Sequence, residues 1–462
     1  MTKTTAEEDI GSNMTPRRRN MSTIGNGEIM FSPLEIGDDG DGADGDGDGD
    51  GDAELVNPLV DPACSHVDQE HHGAGPPGSA SNPQVIVNII ISFVGAGLLA
   101  MPDAFCQSGW LLGTVALLLV SAFNVYAMLC LPEVQKLLQQ RFPDETIVSY
   151  GDLGRVVLGK KGEQVIFVCL GISQAGFATA YIIFISANLQ SIYGWDRFAI
   201  CVSCVPVLLG LVQFRELSSL SPFSMLANAA NFCALSAVLF QDYENYTPHN
   251  DTIHKAKPEG ILHVIAITIY SMEGVGLVLS LKSSCKRPQD FSFLLIATLS
   301  TISLFMVVFG SAGYWAFGNA TMAPITLNMG SHLSATFVKC ALSLGLYLTF
   351  PIMMFPIWNI IETPTTNRTS RVLLRSSTVI CSCVVAYLVP NFGKFLALVG
   401  SSICTLLGFV FPSYFHLSVV GKDLPLYQKC IDVVLLVGGL SFGCVETYKS
   451  IIDMLAGELE EH

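Results

Sequence analysis

Charged side chains are scarce in this sequence, and nearly half of the acidic ones lie in one short segment. Only 14% of the 462 residues are charged, whereas soluble domains average about 25%. Residues 1–82 hold 17 of the 39 Asp and Glu but only 4 of the 24 Lys and Arg, so the rest of the chain is nearly neutral. Neither part has the clustered positive charge that a nucleic acid requires. The composition argues against a soluble enzyme, and we expect no nucleic-acid partner.

Residues 1–82 also lack a long apolar run, and an Asp-Gly repeat occupies residues 37–52. Low hydrophobicity with dense like charge cannot offset the entropy lost on ordering. We therefore expect a disordered acidic N-terminal tail at 1–82 and a transmembrane domain at 83–462. The alternating Asp residues suggest a calcium loop, but the Glu required at position 12 is missing; counted from Asp44, that position is Leu55. We predict no metal and no cofactor.

Long apolar runs fill the remainder of the chain. Several exceed the roughly 18 residues that indicate a membrane-spanning helix, and backbone groups inside lipid must be paired within the segment, which favours helices. The sequence therefore predicts an all-α integral membrane protein with about eleven transmembrane helices, and a short interfacial helix at 149–158. The eleven runs cover 84–105, 110–132, 164–192, 198–214, 222–240, 260–281, 291–317, 336–360, 372–389, 395–420 and 431–453.

The distribution of Lys and Arg between the loops predicts the orientation. With the N-terminus in the cytosol, cytosolic loops carry fourteen Lys and Arg and the opposite loops carry six, as the positive-inside rule requires. Eleven helices then place the C-terminus in the lumen or outside the cell. The glycosylation sequons at Asn245, Asn250 and Asn319 fall on that same side, so these three are candidate glycosylation sites.

One short motif occurs twice, in the first and sixth apolar runs. Ser92 to Leu98 and Ser271 to Leu277 both read S-x-x-G-x-G-L, 179 residues apart. One such motif is typical of close packing between membrane helices. Two copies at corresponding places indicate a transporter built from inverted repeats, in which a broken helix of each half borders the binding site. Five helices per half plus one extra helix give eleven.

Unwinding at these motifs would expose backbone groups inside the membrane. The half-helix after Gly97 would offer N–H donors and a positive dipole to a carboxylate, and the carbonyls from Tyr270 to Gly274 would face an ammonium group. A ligand held at both ends is an α-amino acid or a molecule of that shape. The predicted substrate-binding residues on the two motifs are Ser92, Gly95, Ala96, Gly97, Tyr270, Ser271, Glu273 and Gly274.

Six segments in order resemble the amino acid/auxin permease family, in its vacuolar and proton-coupled amino-acid transporter branches. The resemblance covers about residues 83–453. It implies an eleven-helix fold like that of bacterial leucine transporters, coupled amino-acid movement, a monomer in the lipid bilayer and a vacuolar or lysosomal membrane. It also places Tyr181, on the third helix, at the substrate site. The segments are N-I-I-I-S-F-V-G-A-G-L-L-A-M-P-D-A-F from Asn88, Y-G-D-L-G from Tyr150, S-Q-A-G-F-A-T-A-Y-I-I-F-I from Ser173, E-G-V-G-L-V-L from Glu273, F-P-I-M-M-F-P-I from Phe350 and V-P-N-F-G-K-F-L-A-L-V-G-S from Val389.

Two positions depart from the pattern of that family. Asp103 stands where an aromatic residue is common, and Lys282 stands where an acid is common. Any coupling role that the family gives to that acid is therefore in doubt here.

Ionisable residues inside apolar runs are candidates for proton coupling because they are costly to bury. Glu273, His263 and Asp103 are the predicted candidates, with H+ expected as the coupling ion rather than Na+. A structural role stays open for each of them. Glu446 and His416 lie near the ends of late runs and are predicted to be interfacial.

The sequence leaves more than one function open. The favoured interpretation is a secondary active transporter of amino acids. A sensor of the same fold with little net transport is the alternative. A channel would favour repeated polar rings, and an enzyme would favour clustered catalytic side chains; the apolar runs show neither pattern.

Overall fold

The computed structural model describes residues 78–213, 221–244, 253–330, 332–362, 367–389, 391–422 and 424–460. Helices make up most of these residues, and each predicted apolar run falls on one helix or on one broken helix. The α-helices are α1 (Asn82–Phe93), α2 (Met101–Ser108), α3 (Trp110–Arg141), α4 (Tyr150–Tyr193), α5 (Arg197–Leu211), α6 (Ser221–Glu244), α7 (Ile261–Ser271), α8 (Val278–Ser284), α9 (Phe291–Phe317), α10 (Leu333–Ile361), α11 (Arg368–Leu388), α12 (Phe392–Val399), α13 (Phe411–Val419) and α14 (Leu426–Glu460).

Most of these helices are long and apolar enough to cross a membrane. Among the described residues, eight continuous or nearly continuous helices meet that criterion, and the bent pair α1–α2 makes a ninth. Helix α5 and the residues 232–243 of α6 are shorter apolar helices. The all-α membrane class predicted from the sequence is confirmed.

The outer surface of the helical body is apolar, as lipid contact requires. On α14, Val433, Val434 and Val437 each leave about half of their surface exposed, at 48%, 59% and 57%. Soluble proteins rarely expose contiguous apolar patches of this kind. The exposed face of α14 therefore fits the hydrocarbon region of a bilayer.

Helix α4 contains a kink at Gly159. Its backbone there has φ 75° and ψ −173°, a conformation that side chains with a Cβ rarely adopt. The kink separates a short first arm, Tyr150 to Leu158, from the long remainder of the helix. This arm is the segment predicted as an interfacial helix; its depth in a membrane stays a prediction.

The helices at the first and sixth apolar runs are both broken, as the repeated motif predicts. We call α1 with α2 the first helix, and α7 with α8 the sixth helix. Between α1 and α2 the chain leaves the helix at Val94 and Gly95, forms a 3₁₀ turn at Ala96–Ala100, and bends by 48°. Between α7 and α8 it leaves the helix at Met272 to Gly274 and forms a 3₁₀ turn at Val275–Leu277. The two breaks lie at the two copies of S-x-x-G-x-G-L.

The helix at the tenth apolar run, from α12 to α13, has an irregularity that the sequence does not predict. Two π-helical segments, Gly400–Cys404 and Leu406–Val410, connect α12 to α13. Gly400 lies directly against the carbonyl of Ala266 on α7, with no room for a Cβ between them. Local π-helical geometry is frequent at functional sites, and here it lies against the first half of the sixth helix.

The described residues begin at Gly78, within the segment 1–82 that the sequence predicts to be the tail. Gly78 N and Ala80 N donate to Ser283 O and Ser284 O at 3.1 and 2.9 Å, and Lys286 N donates to Ala80 O at 2.9 Å. We call residues 78–81 the strap. It joins the start of α1 to the end of α8 through backbone bonds, which depend on position in space and leave no pattern in the sequence.

A buried cation stabilises the contact between α10 and α11. Arg375 is only 4% exposed and donates to both carboxylate oxygens of Glu362, at 2.6 and 2.9 Å. It also donates to Val212 O at 3.0 Å and lies over the ring of Trp358. Buried charges are stable when they are paired and hydrogen-bonded in this way.

Candidate functional site

The two helix breaks pack directly against each other through their glycines. A Cβ on Gly274 would lie 2.8 Å from Phe93 Cε1, and a Cβ on Gly97 would lie 3.0 Å from both Ser271 Cβ and Tyr270 Cδ1. Carbon atoms prefer separations of about 3.5–4.0 Å. Because glycine has no side chain, the first helix can approach the sixth closely at these positions. Close packing between membrane helices is one of the two roles expected for the S-x-x-G-x-G-L motif.

The first break also presents free backbone donors. Its 3₁₀ turn begins with Leu98 N donating to Gly95 O at 3.2 Å, and the N–H groups at the start of a helix have no partner within it. Those groups belong to Gly95, Ala96 and Gly97. Nothing lies within 4 Å of a Cβ placed on Gly95. Open space beside unpaired donors fits the predicted carboxylate site.

Ser92 lies in the last turn of α1 before this break. Its hydroxyl donates to Asn88 O at 2.7 Å within the same helix. The oxygen retains its acceptor capacity, and the residue is only half-buried. Ser92 thus lies beside the first break, as predicted, but its hydroxyl hydrogen is donated to its own helix.

The carbonyls of the second break are partly occupied. Asn124 of α3 donates its amide to Met272 O at 3.2 Å, and the amide oxygen of Asn124 is buried without a partner among the described residues. Sequence reasoning missed Asn124. The available signal was a polar amide in the middle of a long apolar run, which is costly unless it has a function or a partner.

Aromatic rings border the second break on the side of α4. The rings of Phe177 and Tyr270 meet edge to face at a centroid distance of 4.7 Å. Tyr181 lies within electrostatic range of Tyr270, and both are at most 5% exposed. The hydroxyl of Tyr270 is buried without a partner in the described part of the chain. Such a group usually has a hydrogen-bond partner, so it is available to a ligand.

Glu273 follows Met272 in the break and has no cationic partner within the described ranges. Its Oε1 is buried and makes no hydrogen bond there. The hydroxyl of Tyr150 and the thiol of Cys404 interact with it electrostatically. Tyr150 already donates to Leu407 O at 2.9 Å. A buried carboxyl in this situation is stable when it holds a proton or when a cation binds beside it.

The other two coupling candidates form a separate cluster. His263 Nε2 lies 3.5 Å from Asp103 Oδ2, and Gln107 donates to the same oxygen at 3.0 Å. Glu446 of α14 acts electrostatically on His263. Glu446 is 2% exposed and lies on α14, which packs on α7; its position at the membrane interface stays a prediction.

The remaining predicted positions are only partly described. Asn319 is exposed, and its Oδ1 accepts a hydrogen bond from Lys257 Nζ at 2.9 Å. Asn245 and Asn250 lie outside the described residues. Lys282, which replaces the acid of the family, donates to Gln135 Oε1 at 2.9 Å at the end of α8.

Comparison with known proteins is consistent with this geometry. Among relatives, amino acid transporter AVT3A of Arabidopsis thaliana is 34% identical over 394 residues, covering 83% of this chain and 92% of its own length. Amino acid transporter ANT1 of the same plant is 33% identical over 396 residues, covering 80% and 92%. Vacuolar amino acid transporter 4 of Saccharomyces cerevisiae is 27% identical over 427 residues, covering 81% and 58%.

Two solved structures resemble the chain more distantly. A substrate-bound Na+-coupled sialic acid symporter has a TM-score of 0.43 at 10% identity, covering 80% of this chain and 95% of its own. A manganese transporter of Eremococcus coleocola has a TM-score of 0.43 at 13% identity, covering 85% and 99%. The family model for transmembrane amino acid transporter proteins matches residues 78–452. The chain is therefore a multi-pass membrane protein that belongs to the transmembrane amino acid transporter family.

Proposed function

We propose that this chain is a secondary active transporter that binds an amino acid between the breaks of the first and sixth helices. The observation that supports this best is the pairing of the two breaks. N–H groups at Gly95 to Gly97, without a partner among the described residues, begin the turn of the first break; open space lies beside Gly95, and the buried Oε1 of Glu273 lies in the opposite break. These groups match the carboxylate and ammonium ends of a zwitterion.

Proton coupling at Glu273 is part of the proposal. The carboxyl of Glu273, which has no cationic partner among the described residues, can exchange its proton for the ammonium group of the substrate. Proton binding then affects substrate binding, and substrate binding affects proton binding. Asp103 and His263 would form a second proton-transfer site, separate from Glu273, and would pass protons between solvent and the interior. The relatives named vacuolar transporters support a vacuolar membrane. The distribution of Lys and Arg supports an N-terminus in the cytosol and, with eleven helices, a C-terminus in the lumen.

The test uses the full chain reconstituted in liposomes. An amino-acid panel is offered under an imposed H+ gradient, an imposed Na+ gradient, or neither. We expect accumulation of at least one amino acid driven by H+ alone. Accumulation driven by Na+ alone would overturn the coupling ion. Substrate binding without uptake under any gradient would favour the sensor.

A Glu273→Gln variant tests the residue itself. It keeps the size and hydrogen-bonding capacity of the side chain but removes the titrating group. We expect it to lose accumulation driven by the H+ gradient while keeping exchange of labelled for unlabelled substrate. Asp242→Asn is the matched control, because Asp242 is 3% exposed on α6 and away from the breaks. Unchanged H+-driven accumulation by Glu273→Gln would show that Glu273 is structural.

A further inference from the structure

Three helices outside the substrate site bring a thiol, an imidazole and a carboxylate together. Cys130 lies on α3, His416 on α13 and Asp432 on α14, with exposures of 3%, 1% and 0%. Their ligand atoms all lie within 4.8 Å of one another. His416 is thus buried within the protein, and its position at the membrane interface stays a prediction. We call these three residues the Cys-His-Asp cluster.

The hydrogen bonds around the cluster fix its orientation. His416 Nδ1 lies 2.7 Å from Asp432 Oδ2, and Tyr126 donates its hydroxyl to the other carboxylate oxygen at 3.0 Å. Cys130 lies one helical turn after Tyr126. On the far side of the imidazole, Nε2 is buried and has no hydrogen bond among the described residues. Glu133 Oε2 is 3.6 Å from it.

We propose that the Cys-His-Asp cluster binds a divalent transition-metal ion of the Zn²⁺ class. The ligands are the Cys130 thiolate, His416 Nδ1 and Asp432 Oδ2, with a fourth position left for water or another oxygen. Zn²⁺ takes this kind of ligand set with bonds of about 2.0–2.3 Å, which places tetrahedral ligand atoms roughly 3.3–3.6 Å apart. The pair now at 2.7 Å therefore has to open by about 0.6–0.9 Å, and the sulfur, which lies within 4.8 Å of the other ligand atoms, has to approach them by up to about 1.5 Å.

One of the outer groups that such a site needs is in place and the other lies close by. A metal-bound histidine donates its second N–H to a carboxylate or carbonyl, and a metal-bound carboxylate is itself hydrogen-bonded. Tyr126 already donates to the second oxygen of Asp432. Glu133 Oε2, on a side chain that is 52% exposed, lies 3.6 Å from Nε2 and would have to approach it to accept the N–H.

The ligand chemistry selects the class of ion. A thiolate and an imidazole favour Zn²⁺ and similar borderline ions, whereas Mg²⁺ and Ca²⁺ take oxygen ligands. One thiolate and one carboxylate balance the charge of a divalent ion, so the buried site is neutral when loaded. Because its ligands come from α3, α13 and α14, the bound ion would tie these three helices together.

The test titrates Co²⁺ into the purified, metal-free full chain. Co²⁺ replaces Zn²⁺ in such sites and reports a sulfur ligand by a charge-transfer band in the near ultraviolet. We expect one Co²⁺ per chain, displaced by Zn²⁺, and a rise of the apparent melting temperature with either ion. A chain that binds neither ion, or binds Co²⁺ without the sulfur band, would show that the cluster is only a hydrogen-bond network.

Variants locate the ion within the chain. Cys130→Ser should remove the charge-transfer band, and Glu133→Gln, a change at a half-exposed side chain, should weaken binding roughly tenfold or more. Cys169→Ser is the control, since Cys169 is buried on α4 outside the cluster. A band that survives Cys130→Ser and disappears in Cys169→Ser would place the metal elsewhere and overturn the assignment.

Discussion

The close approach of the broken helices gives a quantitative prediction at Gly97. A Gly97→Ala side chain would lie 3.0 Å from Ser271 Cβ and Tyr270 Cδ1. Overpacking of this kind costs about 1–3 kcal/mol, and replacing a helical glycine recovers at most about 1 kcal/mol. We expect a net loss of about 1–2 kcal/mol, which changes the ratio of folded to unfolded protein roughly 5–30-fold.

Gly95 provides the matched control, because a Cβ there has nothing within 4 Å. Thermal unfolding of the purified proteins should show a lower melting temperature for Gly97→Ala and an unchanged melting temperature for Gly95→Ala. Gly95→Leu should also keep its melting temperature but lose binding of a labelled amino acid, since its side chain fills the open space beside the N–H groups. The two glycines thus separate packing from ligand contact.

A double variant tests the physical cause. Ser271→Gly removes two of the three nearest atoms that crowd the new methyl group and leaves Tyr270 Cδ1, so Gly97→Ala with Ser271→Gly should be more stable than the two single effects predict. Contacting residues commonly show coupling of about 0.5–3 kcal/mol. Equal stability of Gly97→Ala and Gly95→Ala, or strict additivity in the double variant, would refute the argument from close packing.

Three further predictions follow from contacts elsewhere. Deleting residues 1–70 should leave uptake in liposomes unchanged, whereas deleting residues 1–81 should reduce it, because only the longer deletion removes the strap. Gly274→Ala should lower the melting temperature, because the new methyl group would overlap the ring of Phe93. Replacing Phe93 by a smaller residue in the same variant should restore the melting temperature. Arg375→Met should lower stability by roughly 1.5–3 kcal/mol, because Glu362 loses two charge-assisted hydrogen bonds while it keeps its ion pair with Arg371; Arg371→Met, at a more exposed side chain, should cost less in the same melting assay.

The architecture could be predicted because its signals are local. Apolar runs give the helices, since lipid leaves the backbone no other partner. The repeated S-x-x-G-x-G-L gives the two breaks, since glycine pairs weaken a helix wherever they occur. The same local reasoning placed Gly97 and Ser271 in corresponding motifs, but it could not tell that they touch.

Features that join distant parts of the chain were not predictable in this way. The strap, the amide of Asn124 on Met272 O and the π-helical turns at Gly400 all depend on which surfaces meet. Glu446 and His416 were predicted to be interfacial from their distance to the end of an apolar run. Both are buried inside the protein, at 2% and 1% exposure, because other helices pack on α14 and α13.

The strap has a consequence for the rate of conformational change. Any motion that swings α1 away from α7 must either carry α8 with it or break the three backbone hydrogen bonds of residues 78–81. At about 1 kcal/mol net for each bond, separation at the strap costs about 3 kcal/mol, or roughly a hundredfold in the population of an opened form. Turnover will then depend on residues far from any bound amino acid. Homologous chains with identical substrate contacts will differ in speed when their straps differ.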